Sequence, residues 1–428
     1  MTPVSAYTPD SGDPTFDVES YTLDLTYRVR TNRLDGRALL HAVMALPTGR
    51  VRLDLVGLRA SAIRVDGDPV IFRHDARGVH ITLPTPLQPG ERFSIDVTYS
   101  GTPRPRRSPW GTLGWEELDD GALVAAQPTG APTWFPCNDR PDDRATYRVT
   151  LATDAPYRAI ATGVPVDVRR RGRLESRTFE LRAPTATYLV AAHVGRFTIA
   201  EVSIPGVAAE LVHPPELAGP AAQAFAPLPR MMAVFEDIFG PYPQERCTMV
   251  VTPDVLEIPL EAQGMALFGV NHLAPSFERL IAHELAHQWV GNSVGIRDWQ
   301  DIWLNEGFAC YAEWLWSERS GGAIAAAHAA AHWERVAAEP ADLILSDPGP
   351  KAMFDDRVYK RGALTLHALR LAVGDEAFFG FLRRWTTAHR HQLVGTDDFR
   401  LAVAETFGSA AEALVHRWID GAELPPLG

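Results

Sequence analysis

The stretch LIAHELAHQWVGNSVG, residues 280 to 295, constrains the fold of this chain more than any other segment. It places His283 and His287 four residues apart in an apolar run. On a helix, such residues lie ~40° apart in azimuth and ~6 Å apart along the axis, so both imidazoles can reach one metal ion at about 2.0–2.1 Å. Glu284 lies on the adjoining side, where a general base takes a proton from activated water. The pattern predicts a helix that carries two metal ligands and a base.

A third ligand follows in the stretch WQDIWLNEGFACYAEWLW, residues 299 to 316. Catalytic zinc uses three protein ligands and one open position. Eighteen residues, 288 to 305, lie between His287 and Glu306. This gap allows the first helix to end near Gly291 and a second helix to pack antiparallel against it. We therefore predict a zinc site of His283, His287 and Glu306 that holds one Zn²⁺ per chain.

Two further patterns are weaker evidence for a role at a metal site. Glu313 lies seven residues after Glu306, about 20° away in azimuth, and could orient a zinc histidine or be a glutamate at the surface or the edge of the core. His328 and His332 share the spacing of the first pair, but alanines separate them and no third ligand is near. A partly exposed helix face is the better interpretation of that second pair.

Composition narrows the class of protein. The chain has 428 residues, of which 46% are hydrophobic and 22% charged, as in a globular protein of two domains. A net charge of −12 argues against nucleic acid as a partner. No apolar run approaches the roughly 18 residues that span a membrane, and the start has no secretory pattern. The three cysteines do not indicate a disulfide framework. We expect a cytoplasmic protein.

The chain changes character near Gly206. Before it, alternating apolar and polar residues predict an all-β sandwich-like domain over residues 1–206, with strands at 21–29, 79–84, 92–100, 145–153, 177–183 and 187–194. After it, one apolar strand is predicted at 247–253 and helices dominate residues 207–428. They are predicted at 231–240, 277–290, 302–319, 323–338, 360–372, 376–389, 396–406 and 410–420. The fold class is α+β, with two domains.

Four motifs in order resemble the aminopeptidase N and leukotriene hydrolase family of zinc metallopeptidases, the gluzincins. They are WFPCNDRPDDRATYRVTL at 134–151, HELAHQWVGN at 283–292, WQDIWLNEGFACYAEWL at 299–315 and YKRGAL at 359–364. The resemblance spans roughly residues 20 to 425. It implies a thermolysin-like catalytic domain and short peptides with a free N-terminus as substrates. From the net charge and the lack of a long apolar run, we expect no nucleic-acid and no membrane partner.

The resemblance also implies roles for three further residues. Tyr359 would donate a hydrogen bond to the oxyanion. Glu261 would bind the substrate's ammonium, since it lies in Ile258-Pro259-Leu260-Glu261-Ala262 where the family has Gly-x-Met-Glu-Asn. Gln127, in Gln-Pro-Thr-Gly-Ala-Pro, stands where the family usually has a glutamate and would be a second contact to the amine. Pro259 has no N–H to offer a substrate backbone.

The leading hypothesis is a zinc aminopeptidase of two domains, without the helical domain that caps the active site in relatives. An epoxide hydrolase like the leukotriene branch is the alternative enzyme, and it needs a deep apolar channel. An inactive peptide-binding module is a third interpretation, which the intact Glu284 and Tyr359 disfavour. A thermolysin-like endopeptidase is a fourth, and it does not need the carboxylate of Glu261.

Overall fold

Strands fill the first half of the chain. The computed structural model describes residues 5–427, and sixteen strands precede residue 196. They are β1 (Phe16–Arg28), β2 (Arg33–Met44), β3 (Thr48–Leu53), β4 (Arg59–Val65), β5 (Asp68–Pro69), β6 (Phe72–Asp75), β7 (Gly78–Leu87), β8 (Arg92–Gly101), β9 (Arg106–Ser108), β10 (Gly111–Leu118), β11 (Gly121–Ala125), β12 (Arg144–Asp154), β13 (Arg158–Ala161), β14 (Val164–Arg171), β15 (Leu174–Ala186) and β16 (Ala192–Gly195).

These strands form three sheets around one apolar core, which confirms the sandwich-like domain. An eight-stranded sheet has the order β14-β15-β12-β1-β2-β8-β4-β5, a five-stranded sheet β13-β16-β11-β10-β9, and a three-stranded sheet β3-β7-β6. Only the β1–β12 pair is parallel among the paired strands of these sheets in the described chain. In β1, Tyr21, Leu23, Leu25 and Tyr27 alternate with more exposed residues, so one face of the strand enters the core.

The predicted strand at 187–194 is partly wrong. Thr187–Leu189 form a short 3-10 turn, and the strand that follows is limited to Ala192–Gly195. The turn closes because the amide of Val190 donates to the carbonyl of Thr187. Alternation alone did not reveal this turn, since its three residues are all buried.

Helices dominate the second half, as predicted, around a smaller mixed sheet. The strands are β17 (Thr198–Ile204), β18 (Val207–His213), β19 (Cys247–Thr252), β20 (Leu260–Ala262), β21 (Met265–Gly269), β22 (Gly295–Ile296) and β23 (Leu393–Val394). The helices are α1 (Ala218–Ala224), α2 (Leu228–Phe239), α3 (Glu278–Ala286), α4 (Trp303–Ser320), α5 (Ala325–Ala337), α6 (Asp356–Val373), α7 (Asp375–Ala388), α8 (Thr396–Phe407) and α9 (Ser409–Ile419).

The mixed sheet has the order β17-β18-β19-β21-β20. Strands β18, β19 and β21 run parallel, while β17 and β20 pair antiparallel at the two edges. Gly206 lies in the hairpin turn between β17 and β18, so both strands of that hairpin belong to this sheet. The boundary at residue 206 itself stays a prediction.

Helices α4 and α6 touch through their backbones at two glycines. A Cβ atom added to Gly307 would lie 2.7 Å from the Cα of Gly362, and a Cβ added to Gly362 would lie 2.7 Å from the Cα of Gly307. Neither position has room for a side chain. The contact brings Glu306, the neighbour of Gly307, close to the helix that carries Tyr359.

No helix in the described part of the chain, residues 5–427, combines the length and the apolar character that a membrane crossing requires.

Candidate active site

Helix α3 positions the first three site residues. His283 and Glu284 lie in its last turn, and His287 is the residue that caps its C-terminus. The amide of His287 donates to the carbonyl of His283 at 3.2 Å, so the i, i+4 relation continues to the cap. All three side chains are buried. The helix ends at Ala286 rather than at 290, because the amides of Gln288 and Trp289 bond to carbonyls three residues back.

Glu306 approaches both histidines from α4. Its Oε2 lies 3.4 Å from the Nε2 of His283 and 3.4 Å from the Nε2 of His287. A tetrahedral ion with bonds of about 2.0–2.1 Å has ligand atoms ~3.3–3.4 Å apart. The two distances from Glu306 therefore match edges of a zinc tetrahedron, and all three ligand atoms lie within 4.8 Å of one another.

Partners on the far side of each ring set which nitrogen faces the ion. His283 Nδ1 donates to Glu313 Oε1 at 2.8 Å, and His287 Nδ1 donates to the carbonyl of Val290 at 3.1 Å. Both protons are thereby held on Nδ1, and the lone pair of each Nε2 points at the common position. The residues present fit zinc.

The same contacts shift the pKa values of the ligands. Burial acts to lower the pKa of His283, but its hydrogen bonds to Glu306 and Glu313 outweigh burial and raise the pKa to about 10. For His287, burial again acts downward, and the charge of Glu306 raises the pKa to about 9. Burial acts to raise the pKa of Glu306, but the two histidines hold it at about 2. In the metal-free site, protons occupy the positions that zinc would take.

Glu284 has the environment of a general base. It is 4% exposed, and its Oε2 has no hydrogen-bond partner within residues 5–427. Burial, with the charge of Glu261, raises its pKa to about 8 against the opposing effect of His283. This pKa belongs to the metal-free site. A carboxylate with an unused oxygen beside the metal ligands is suited to exchange protons at a reacting group.

Glu261 and Gln127 come from different domains and meet beside Glu284. Carboxylate oxygens of Glu261 and Glu284 and a ring nitrogen of His287 lie within 4.8 Å of one another. Gln127, two residues after β11, donates from its amide nitrogen to Glu261 Oε1 at 2.6 Å. The structure thus places Gln127 behind the carboxylate, where it holds Glu261 by one oxygen.

Tyr359 lies in the first turn of α6, which begins four residues earlier than predicted. The cap is Asp355, whose side chain accepts from the amide of Arg357. The ring of Tyr359 is 6.2 Å from that of His283, with 21° between the planes. Burial raises the pKa of its phenol well above the usual value, and the carboxylates of Glu306 and Glu261 add to this effect. The hydroxyl stays protonated, as a hydrogen-bond donor must.

Glu313 is the residue that the sequence prediction left undecided. Besides His283, it accepts from Arg279 at 2.9 Å, and its side chain is only 7% exposed. The signal was its distance of seven residues from Glu306, which puts both on one face of α4. By contrast, His328 and His332 stack on Trp314, with ring distances of 6.2 and 5.2 Å. They are absent from the clusters of potential metal ligands in residues 5–427.

Comparisons with known proteins match both halves of the chain to one family. The family model described as the peptidase M1 N-terminal domain matches residues 17–189, and that of the peptidase family M1 domain matches residues 224–418. Aminopeptidase M1-A of Oryza sativa subsp. japonica is 28% identical over 71% of this chain and 37% of its own length. Glutamyl aminopeptidase of Bos taurus is 27% identical over 72% of this chain and 34% of its own length. The chain therefore spans little more than a third of these relatives.

Solved structures match over nearly their full length. The M1 zinc metallopeptidase from Deinococcus radiodurans is 34% identical, with a TM-score of 0.91 over 100% of this chain and 99% of that one. A mutant of that protein bound to a Tyr-Ser-Ala substrate superposes with a TM-score of 0.92 at the same coverage. A two-domain M1 zinc metallopeptidase mutant bound to L-arginine matches 97% of both chains, with a TM-score of 0.90.

Proposed function

Because the chain belongs to the peptidase M1 family, we propose that it is a zinc-dependent aminopeptidase that hydrolyses the N-terminal peptide bond of short peptides. The observation that carries this proposal is the position of Glu261, a half-buried carboxylate within 4.8 Å of Glu284 and His287. An endopeptidase has no use for a second carboxylate at this place. The tripeptide bound to the Deinococcus radiodurans neighbour supports short peptides as the substrate class.

Recognition of the free N-terminus falls to Glu261. Its carboxylate offers a full negative charge to the ammonium of the first residue, and a charge-assisted hydrogen bond of this kind is roughly twice as strong as a neutral one. Gln127 donates to Oε1 of Glu261, so Oε2 is the oxygen that would accept from the ammonium. The bound ammonium fixes the first residue, so that its carbonyl lies at the metal site.

Glu284 transfers the protons of the reaction, and Tyr359 stabilises the oxyanion. Zinc held by His283, His287 and Glu306 supplies a Lewis acid when bound. Glu284 takes the proton of the attacking water on its unpartnered oxygen and passes it to the leaving amine. The phenol of Tyr359 donates to the oxygen that becomes negative as the carbonyl is attacked.

The test is a panel of fluorogenic aminoacyl amides and matched peptides, each with and without an N-acetyl group. The protein is assayed with one equivalent of zinc and after treatment with a chelator, and Glu284→Gln serves as the inactive control. We expect hydrolysis of the free amines only, lost with the chelator and restored by zinc. Equal hydrolysis of acetylated peptides would indicate an endopeptidase, and peptide binding without hydrolysis would indicate a binding module.

A further inference from the structure

Arg361 lies two residues beyond Tyr359 in α6 and is buried, with 3% of its surface exposed. Its guanidinium has five N–H donors. Nε donates to the carbonyl of Trp418 at 2.8 Å, and the two Nη atoms donate to the carbonyls of Leu343, Ala422, Gly421 and Glu423. Every donor of this side chain is therefore used by the main chain of another segment.

The carbonyls around Arg361 come from two segments. Trp418 is in the last turn of α9, and residues 421–423 follow the end of that helix at Ile419. The last carbonyls of a helix have no partner within the helix and carry partial negative charge, so they stabilise a cation at this place. The carbonyl of Leu343, 3.0 Å from Nη1, belongs to the connection between α5 and α6. Arg361 thus connects α6 both to the end of α9 and to the chain that leads into α6.

Arg361 and Tyr359 lie on opposite sides of α6. Successive helical residues differ by about 100° in azimuth, so residues two positions apart project ~200° apart. The ring of Tyr359 lies 6.2 Å from that of His283, while the guanidinium of Arg361 contacts the end of α9. The next residue, Gly362, is in backbone contact with Gly307 of α4. The turn that carries Tyr359 is therefore held by α9 on one side and by α4 on another.

The connection depends on both the charge and the shape of Arg361. Burial lowers the pKa of its guanidinium to about 10, so the group stays charged at neutral pH. Its planar fork serves carbonyls of different segments at the same time. A glutamine has two side-chain N–H groups and no charge, so it would leave at least three of the five carbonyls without this donor. Leu343 and Trp418 are themselves buried, and unpaired carbonyls there would favour a shift of the turn.

We propose that Arg361 is a positioning residue that holds the phenol of Tyr359 in reach of the oxyanion. It acts through the backbone of α6, from the side of the helix that faces away from the metal ligands. A displacement of about 1 Å in a positioned group can cost ~100-fold in rate. The inference rests on the proposed function, in which Tyr359 donates to the oxyanion, and adds the group that keeps this donor in place.

The experiment is a double-mutant cycle of Arg361→Gln and Tyr359→Phe, with kcat and KM measured on a free-amine aminoacyl amide. Arg361→Gln is expected to lower kcat by ~10- to 100-fold with KM nearly unchanged, because Glu261 still binds the ammonium. Arg361→Lys keeps the charge and three donors, so a smaller loss is expected. With Tyr359→Phe already present, Arg361→Gln should change kcat by less than ~3-fold, because no hydroxyl is left to position.

The matched control is Arg370→Gln. Arg370 is another buried arginine of α6, but it pairs with Glu318 and Asp375 near the far end of the helix. We expect this control to lower the temperature of thermal unfolding and to leave kcat within about twofold. Metal analysis verifies that every variant holds its zinc.

Four results would overturn the inference. One is a normal kcat in Arg361→Gln, and another is an equal loss of kcat in the presence and absence of the Tyr359 hydroxyl. The third is an equal loss in Arg370→Gln. The fourth is failure of both Arg361 variants to fold, which would assign Arg361 to the fold as a whole. Failure of the proposed function has a different signature, namely no hydrolysis of the free amine by the unmodified protein, or a normal kcat in Tyr359→Phe alone.

Discussion

Removal of the Glu313 carboxylate tests whether the hydrogen bond to His283 Nδ1 contributes to zinc affinity. Glu313 accepts from His283 Nδ1 at 2.8 Å and from Arg279 at 2.9 Å, and almost none of its side chain meets solvent. Burial acts to raise its pKa, but the bond to His283 outweighs burial and holds the pKa at about 2. The group is thus ionised at any working pH.

The expected effect of Glu313→Ala is a loss of zinc affinity. The variant leaves the Nδ1–H of His283 without its acceptor and frees the ring to turn. Losing such an outer partner typically costs 10- to 100-fold in metal affinity, or about 1.4–2.7 kcal/mol. Glu313→Gln keeps an acceptor oxygen but loses the charge that pairs with Arg279, so we expect a smaller loss of ~3- to 10-fold.

Zinc dissociation constants are measured by competition with a chelator of known affinity. Glu318→Ala is the control, because Glu318 lies on the same helix and pairs with Arg370 at 3.0 Å without touching a zinc ligand. We expect this control to lower thermal stability and to leave zinc affinity within about twofold. Zinc binding by Glu313→Ala as tight as that of the unmodified protein would refute the reasoning.

Three further predictions concern the reaction and the metal. Glu284→Gln should keep its zinc in metal analysis and lose turnover in the amide assay, because an amide cannot accept the proton; residual activity of more than ~1% would contradict the role. Tyr359→Phe should lower kcat by ~10²–10³ with KM nearly unchanged, and a near-normal kcat would remove Tyr359 from the reaction. In the metal-free protein the pKa values of His283, about 10, and His287, about 9, keep both protonated at neutral pH. Zinc must displace these protons, so its affinity should rise with pH between 6 and 9, by up to about 100-fold per pH unit, and a flat profile in chelator competition would contradict this.

Sequence reasoning predicted the helix of the two histidines and the approach of Glu306 because both depend on local rules. A spacing of four fixes two residues on one helix face, and eighteen intervening residues leave little choice but a reversal. The same rules located most helices of the second domain. They did not locate β18, because its last five residues are all buried and show no alternation of buried and exposed positions.

Local sequence rules could not predict that Gln127 and Glu261, the residues proposed to bind the substrate's amine, lie together. Gln127 and Glu261 are separated by 134 residues and lie in different domains, and only the family resemblance suggested that they meet. The direction of their hydrogen bond was open, since an amide can offer either its oxygen or its nitrogen. In the structure the amide nitrogen of Gln127 donates to Glu261. The contact of Gln127 with the substrate's amine stays a prediction. Glu313 was ambiguous for a related reason, because its spacing fixes its face of the helix and not the partner across it.

The contact between Gly307 and Gly362 makes activity depend on the packing of helix α4 against helix α6. The separation of Glu306 from Tyr359 is set by two backbones in contact, so it does not depend on side-chain rotamers. A slight parting of α4 and α6 would carry the hydroxyl of Tyr359 away from the ligands while every sheet of the N-terminal domain stayed intact. On heating or in denaturant, we therefore expect inactivation to precede the loss of secondary structure. Activity would then report the packing of α4 against α6, and it would be lost while most of the molecule was still folded.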